Sequence, residues 1–310
     1  MTVVVAGSTG LVGSAIVRHF ESKGLKTVGI NRSVVDLLDR EATIDFISTT
    51  KAEIVIDAAA IVGGINANSK YPVEFLNDNL RIQTNLMEAS HKSGVNRFVF
   101  LGSSCIYPRD SMQPIKEEYL MSGVLEKTNS AYAVAKIAGI ELVKSYRQEY
   151  GHKWISVMPT NLYGPNDNFN LETSHVLPAL IRKFIEAADS SKASVTLWGS
   201  GKARREFLHV DDLASAIDLS LKRYDSELHL NIGSGEDLTI KELAELISKL
   251  TGFRGEIFWD TSKSEGTPRK LLDTTRVQSL GWSPKISLLE GIQTTIDWYT
   301  NNLRNGHVRN

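Results

Sequence analysis

The sequence contains one cysteine, Cys105, among its 310 residues. An intrachain disulfide is therefore impossible, and so few thiols are typical of a reducing compartment. No apolar run approaches the roughly 18 residues of a membrane span, and the first residues enter a strand-like segment without a charged leader. We expect a soluble, cytoplasmic protein with no membrane partner.

An excess of either charge is also missing, since 35 basic and 36 acidic side chains give a net charge of −1. The two signs are interspersed, which does not favour nucleic acid or an anionic membrane as a partner. The seven histidines show no close metal-ligand spacing, so we predict no metal site. The predicted ligand is a small molecule.

Strands and helices alternate over the first half of the chain, a pattern typical of a mostly parallel sheet covered on both faces. The predicted fold is α/β, a Rossmann-type doubly wound parallel sheet with a smaller C-terminal α/β substrate lobe. We expect a nucleotide-binding domain over residues 1–166 with return segments near 208–232. Residues 167–310 are expected to form mainly the substrate lobe.

A glycine-rich turn follows the first predicted strand and precedes a helical pattern. The spacing G-x-x-G-x-x-G after a strand indicates a dinucleotide site, because glycines allow the backbone to approach a pyrophosphate at a helix N-terminus. A glycine-rich turn without a ligand is the alternative. The candidate cofactor residues here are Gly7, Ser8, Thr9, Gly10, Leu11, Val12 and Gly13.

Arg32 follows the second predicted strand, at the position that selects the dinucleotide. An acid there suits the ribose hydroxyl of NAD, whereas an arginine suits the 2′-phosphate of NADP. We therefore predict NADP(H) with Arg32 as the phosphate ligand, the alternative being a solvated surface arginine. The segment 36–39 that follows could border the adenine of the dinucleotide or equally start a helix with Asp39 as its N-cap.

Tyr132 and Lys136 are four residues apart in a predicted helix, so their side chains share one face. A nearby ammonium is expected to lower the pKa of the phenol and suit it to acid/base work. Such a pair also occurs by chance on amphipathic helices. Ser103 lies at the end of the fourth predicted strand, and strand ends in parallel sheets form the ligand crevice.

Ser103, Tyr132 and Lys136 together resemble the active site of the short-chain dehydrogenase/reductase superfamily. Five further blocks resemble the GDP-L-fucose synthase family, whose members are GDP-4-keto-6-deoxy-D-mannose 3,5-epimerase/4-reductases. The resemblance extends from residue 3 to about residue 300. The blocks are SSCIYP (103–108), SHVLPAL (174–180), WGSG (198–201), REFLHVDD (205–212) and GTPRK (266–270).

The resemblance implies that Cys105 and His175 exchange protons at C3 and C5 of a hexose beside a C4 ketone. A thiol and an imidazole titrate close enough to neutral pH for that task. Tyr132 is implied to protonate the C4 oxygen during reduction, with Ser103 beside it and Lys136 on the nicotinamide ribose. The alternatives are a buried structural cysteine and a histidine that only caps its helix.

The resemblance also implies the remaining ligand contacts. NADP(H) would contact the glycine turn, Arg32, Leu101, Gly102, Ser103, Ser104, Tyr132, Lys136, Pro159, Thr160, Asn161, Leu162 and His175. The GDP-sugar would contact Asn161, Lys183, Trp198, Arg205 and Arg269. Lys183 departs from the arginine frequent in the family, which is expected to weaken a phosphate contact without abolishing it. His209 is expected to be structural.

Three rival functions remain at this stage. A 4,6-dehydratase typically has an Asp-Glu pair where this chain has Ser104 and Cys105, and a 4-epimerase has no use for Cys105 and His175. A non-catalytic NADP sensor would not need Ser103, Tyr132 and Lys136 together. The resemblance further implies a homodimer, with the predicted helices 71–94 and 129–150 packed across a two-fold axis.

Overall fold

The computed structural model describes residues 1–263, 266–306 and 308. The strands are β1 (Thr2–Ala6), β2 (Lys26–Ile30), β3 (Ile54–Asp57), β4 (Arg97–Leu101), β5 (Ile155–Pro159), β6 (Asn161–Tyr163), β7 (Ser194–Trp198), β8 (Arg204–His209), β9 (Leu230–Ile232), β10 (Asp237–Thr239), β11 (Glu256–Asp260) and β12 (Arg269–Lys270). The helices are α1 (Leu11–Ser22), α2 (Arg40–Thr50), α3 (Ile65–Lys70), α4 (Pro72–Lys92), α5 (Ser130–Tyr150), α6 (Val176–Asp189), α7 (Val210–Arg223), α8 (Ile240–Thr251), α9 (Thr275–Ser279) and α10 (Leu288–Arg304).

A six-stranded parallel sheet forms the centre of the molecule, in the order β2-β1-β3-β4-β5-β9. Apolar side chains cover both faces, with α1 and α7 on one side and α2, α4 and α5 on the other. Strand β2 lies on one side of β1 and strand β3 lies on the other, so the direction of strand addition reverses after β2. This reversal creates a crevice outside the carboxyl ends of β1 and β3. The predicted Rossmann-type α/β class is confirmed.

Shorter elements form the second part of the molecule. Strands β10, β8 and β12 pair in that order, β6 also pairs with β8, and β7 pairs with β11. Helices α6, α8 and α10 pack around a separate apolar cluster. Strand β9 lies at the edge of the main sheet beside β5, so the chain returns there from the second part. The division at residue 166 stays a prediction.

Local sequence signals explain several helix starts. Asp39 accepts a hydrogen bond from the Ala42 backbone at 3.0 Å and caps α2, as predicted. Helix α10 was missed by the sequence analysis, although Ser287 and Glu290 form a capping box at its start. Within the described residues, none of the helices is long and apolar enough to cross a bilayer.

Candidate active site

A cavity of about 1020 Å³ lies at the carboxyl ends of the central strands. Segments that follow β1, β3, β4 and β5 line one side, and segments of the second part line the other. The four strand ends meet because parallel strands direct their carboxyl ends to the same edge of the sheet. Representative lining residues from these segments are Gly7, Ala58, Ser103 and Asn161.

The glycine turn shapes the cavity floor at the N-terminus of α1. Gly7 has φ of +75°, and a Cβ there would lie 2.6 Å from the Ala58 carbonyl oxygen. A Cβ on Gly13 would lie 2.1 Å from the Gly7 carbonyl oxygen, so this glycine allows α1 to pack against the turn. A turn lined by backbone atoms at a helix N-terminus is suited to bind the pyrophosphate of a dinucleotide. Thr9, Gly10, Leu11 and Val12 also line the cavity.

Two residues of the turn serve its structure. Ser8 and Gly13 stand outside the cavity lining, and the Ser8 hydroxyl donates to the Ile30 carbonyl at 3.1 Å. This bond ties the turn to the end of β2. Arg32, just beyond β2, is exposed and lies at the edge of the same cavity. The segment after it both lines the cavity, through Asp36, and supplies the cap of α2.

Ser103, Tyr132 and Lys136 meet on one wall of the cavity. A hydrogen bond joins the Ser103 hydroxyl to the Tyr132 side chain. The Lys136 ammonium donates to the Leu101 carbonyl at 2.8 Å and lies 5.9 Å from the Tyr132 ring centroid. The structure therefore assembles the three groups from β4 and α5 as the spacing predicts.

The pKa of the Tyr132 phenol is raised well above its usual value, mainly by burial and further by Cys105 and Asp57, against the opposing Ser103 hydrogen bond. The prediction of a lowered pKa is wrong in direction, because burial of the ring is the largest cause and raises the pKa. Burial also lowers the pKa of Lys136 itself, while Asp57 opposes that shift. A protonated phenol is the form that donates a proton.

Cys105 and His175 both reach the cavity, from the turn after β4 and from the residue before α6. The His175 ring is accessible from the cavity, yet the surrounding walls and then Lys270 lower its pKa. His175 occupies the N-cap position of α6, but its side chain makes no capping hydrogen bond within the described chain. The imidazole is neutral at neutral pH and can accept a proton.

Lys270 was missed by the sequence analysis. Its ammonium donates to the Cys105 sulphur at 3.6 Å, and it lines the cavity. Its neighbour Arg269, predicted to contact the GDP-sugar, stands outside the cavity lining and pairs with Asp237. The two residues form β12, and adjacent strand residues point to opposite faces. The contact with Cys105 spans 165 positions, which hides it from local patterns.

The other residues implied for the sugar nucleotide lie at the far end of the cavity. Lys183, Trp198 and Arg205 line it, and burial lowers the pKa of Lys183. The ammonium groups of Lys183 and Lys263 lie 5.8 Å and 5.7 Å from the Trp198 ring centroid. Trp198 is 54% exposed, which leaves its ring open to a ligand. Lys263 was not predicted.

Further predicted residues complete the cofactor side of the cavity. The Asn161 amide donates to the Glu206 carbonyl at 2.8 Å, which fixes the side chain at the end of β5. His209 is buried outside the cavity lining and accepts from the Asp211 backbone, in keeping with a structural role. The predicted residues that also line the cavity are Leu101, Gly102, Ser104, Pro159, Thr160 and Leu162.

The acidic, thiol and imidazole groups of the described residues do not gather as metal ligands. Within residues 1–263, 266–306 and 308, no three or more of them are placed to hold a metal ion.

Comparison with known proteins agrees with this site. The model of the NAD dependent epimerase/dehydratase family matches residues 3–233. GDP-L-fucose synthase 1 of Arabidopsis thaliana is 51% identical, over 98% of this chain and 94% of that protein. GDP-L-fucose synthase of Escherichia coli (strain K12) is 48% identical, over 97% of each chain.

A solved structure supports the same relationship. The GDP-L-fucose synthetase from Naegleria fowleri bound to NADP superposes with a TM-score of 0.91 at 28% identity, over 100% of this chain and 96% of that chain. Near full-length coverage on both sides excludes a match through the nucleotide-binding part alone. The chain therefore belongs to the NAD dependent epimerase/dehydratase family and, within it, to the GDP-L-fucose synthase family.

Proposed function

We propose that the protein converts GDP-4-keto-6-deoxy-D-mannose to GDP-L-fucose, by epimerisation at C3 and C5 followed by NADPH-dependent reduction at C4. One observation carries this proposal. A single cavity holds Ser103, Tyr132 and Lys136, which suit reduction, together with Cys105 and His175, which suit proton exchange. The relatives named GDP-L-fucose synthase support the proposed product.

NADP(H) is the cofactor that fits the cavity floor. The glycine turn at the α1 N-terminus would hold the pyrophosphate, Arg32 the 2′-phosphate, and Lys136 the nicotinamide ribose. When bound, NADPH supplies the hydride for the C4 ketone. The same contact set includes Leu101, Gly102, Ser104, Pro159, Thr160, Asn161 and Leu162.

Epimerisation needs a proton removed beside the ketone and a proton returned on the opposite face. Cys105 and His175 come from different segments of the chain and both face the cavity, so they can act from two sides of a sugar ring. Lys270, bound to the Cys105 sulphur, places positive charge where the enolate would develop negative charge. Ser103 and Tyr132 would hold the C4 oxygen through their hydroxyls.

Reduction then uses the proton of Tyr132. The raised pKa of the phenol keeps the O–H intact until the C4 oxygen becomes basic as the hydride arrives. Burial of the ring beside Phe75, with ring centroids 6.2 Å apart, limits its movement. The GDP part would be bound by Lys183, Trp198 and Arg205, whose cations suit a diphosphate.

We further infer a cytoplasmic homodimer in which α4 and α5 pack across a two-fold axis. These two helices pack against each other on the sheet, and each exposes an apolar side chain, Val73 on α4 and Val134 on α5. We also infer that residues 1–166, with return segments near 208–232, form the cofactor domain. Residues 167–310 would then form mainly the substrate lobe.

The test is to incubate the purified protein with GDP-4-keto-6-deoxy-D-mannose and NADPH in heavy water and to examine the product by NMR. We expect GDP-L-fucose with deuterium at C3 and C5. An incubation without protein measures spontaneous exchange. A reduced but unlabelled sugar would contradict the epimerase role and indicate a simple 4-reductase. NADPH binding without turnover of the sugar would indicate a sensor, and tightly bound NAD would indicate a 4-epimerase.

A further inference from the structure

Asp57 is a buried carboxylate that the proposed reaction leaves without a role. It is the last residue of β3, is 0% exposed, and lies in register between Ala6 of β1 and Phe100 of β4. Val55, two positions earlier on the same face, belongs to an apolar cluster. Burial of a carboxylate there raises its pKa to about 6.

The hydrogen bonds of Asp57 are incomplete. Its Oδ1 accepts from the Ala59 backbone at 3.2 Å, whereas Oδ2 has no hydrogen-bond partner among the described residues. Two other buried carboxylates of this chain, Glu206 and Asp212, differ. Both oxygens of Glu206 and both oxygens of Asp212 accept backbone N–H groups at 2.7–3.0 Å. A structural carboxylate is normally bound in that way, so Asp57 calls for a different explanation.

Lys136 is the cation that acts on Asp57. It is 3% exposed, and its ammonium lies 4.8 Å from the ring centroid of Phe100, the register neighbour of Asp57. An ammonium has three donors, and the described contacts of Lys136 include one hydrogen bond, to Leu101. Lys136 lowers the pKa of Asp57 and Asp57 raises the pKa of Lys136, each against the effect of burial.

We propose that Asp57 is a positioning residue whose carboxylate holds Lys136 in its ammonium form, ready to bind the nicotinamide ribose of NADPH. The proposal rests on the function proposed above, since that function assigns the ribose to Lys136. It adds a residue that touches neither sugar nor nicotinamide and acts through Lys136. Without the Asp57 carboxylate, burial alone would act on the pKa of Lys136, and burial lowers it.

The other groups at this point do not replace Asp57. Among the described residues, burial and Asp57 are the causes that act on the pKa of Lys136, and the protonated phenol of Tyr132 carries no charge that could take the place of the carboxylate. Helix α4 presents the neutral amides of Asn79 and Gln83, which are bound to backbone groups. Loss of the Asp57 charge is therefore expected to let Lys136 deprotonate at a lower pH.

The experiment measures NADPH affinity without any sugar, by fluorescence, from about pH 6 to about pH 10, a window that brackets the titration of a lysine with a lowered pKa. NADPH affinity of the unmodified protein is expected to fall as Lys136 loses its proton. In Asp57→Asn we expect the same fall in affinity at a pH about one to three units lower, because an opposite charge nearby usually shifts a pKa by that amount. Ile56→Val, on the other face of β3, is the matched control and should leave the profile in place. Asp57→Leu should show the same shift and supplies the measurement if the amide variant does not fold.

A double-mutant cycle separates action through Lys136 from a structural effect. Lys136→Met removes the ammonium, and adding Asp57→Asn to it should change NADPH affinity no further at any pH. An equal effect of Asp57→Asn with and without Lys136 would overturn the proposal, as would an unmoved profile in Asp57→Asn. Because no sugar is present, failure to form GDP-L-fucose would refute the proposed function alone.

Discussion

Burial, more than neighbouring charge, sets the protonation states of the side chains that we assign to proton transfer. Burial is the first cause of the raised pKa of Tyr132 and of the lowered pKa values of Lys136 and His175. A protonated phenol and a neutral imidazole therefore coexist at neutral pH. One can donate a proton and the other can accept one without prior titration.

Removal of the Tyr132 hydroxyl should separate the two half-reactions. In Tyr132→Phe, we expect NADPH oxidation to fall by about 100-fold or more, because the proton donor is lost. Proton exchange at C3 and C5 should survive in part, since Cys105 and His175 are unchanged. NADPH absorbance and deuterium incorporation by NMR report the two steps. Tyr119→Phe, outside the cavity, is the control, and equal loss of both steps would contradict the assignment.

Lys270 should affect proton exchange through both of its neighbours. In Lys270→Met, we expect exchange to slow by about 100-fold, as when a charge-stabilising donor is removed. Loss of its repulsion should raise the pKa of His175, so the acid limb of the exchange rate should move to higher pH. The measurement is the pH profile of deuterium exchange. Arg269→Met is the matched control on β12, and an equal effect of both variants would contradict the role.

Arg32 should determine the choice between the two dinucleotides. In Arg32→Ala, we expect the KM for NADPH to rise by about 10- to 100-fold, the value of one charge-assisted contact, with little change for NADH. Steady-state kinetics with each cofactor provides the test. Arg40→Ala, which removes an ion pair with Glu88 away from the cavity, is the control. A parallel rise for both cofactors would show that Arg32 does not contact the 2′-phosphate.

Residues joined by a short sequence spacing could be predicted, and residues joined only by the fold could not. The pair Tyr132 and Lys136 is visible within one turn of a helix. Lys270 and Asp57 gain their importance from segments distant in sequence, and the direction of the Tyr132 pKa depends on how deeply α5 packs. The resemblance implied Arg269 as a sugar-nucleotide contact, and the orientation of β12, which places Lys270 in the cavity lining and leaves Arg269 out of it, depends on the pairing of β12 with β8.

At the scale of elements, the close approach of α5 to β4 positions the active-site side chains of α5. A Cβ on Gly139 would lie 2.2 Å from the Phe100 ring, so only glycine permits this packing. The approach brings Lys136, one turn earlier, within hydrogen-bond distance of the Leu101 carbonyl. The helix therefore positions its catalytic face through one small residue.

Gly139→Ala should push α5 away from the sheet. We expect a loss of about 1–3 kcal/mol of stability from overpacking, together with a lower kcat, because Lys136 and Tyr132 move with the helix. Thermal unfolding and NADPH oxidation are the measurements. Gln148→Ala, exposed on the same helix, should change neither. Full activity in Gly139→Ala would show that the active site tolerates a shift of α5.

The alternation of the first five strands with helices was predicted because long apolar runs and regular spacing mark each element. Strands β8, β10 and β12 were missed, since they are short and are stabilised by partners far along the chain. Strand β8 also begins with three charged residues, Arg204, Arg205 and Glu206, which obscure its apolar end. Pairing, more than propensity, decides such strands.

At the scale of the whole molecule, Glu206 joins the two parts of the chain around the cavity. Its carboxylate accepts from Gly235 and Leu272, and its carbonyl accepts from the side chains of Thr160 and Asn161. These bonds connect the end of β5, the loop before β10 and the segment after β12. Asn161 and Leu272 are thereby both bound to one buried residue.

Glu206→Gln should weaken this connection. The amide presents an NH₂ group to a backbone N–H, so we expect a loss of about 2–3 kcal/mol and slower sugar turnover. Urea unfolding and the complete reaction measure the two effects. Glu236→Gln, on the exposed loop nearby, is the control and should match the unmodified protein. Unchanged stability in Glu206→Gln would show that the two parts are held together elsewhere.

The single thiol of Cys105 allows the catalytic centres in a solution of this protein to be counted. The chain has one thiol, and that thiol lies in the cavity between Ser103 and Lys270. Each equivalent of an alkylating reagent that the native protein consumes therefore marks one catalytic centre. Because every chain supplies one such thiol, labelling should end at one equivalent per chain, and activity should fall in proportion to the thiol consumed.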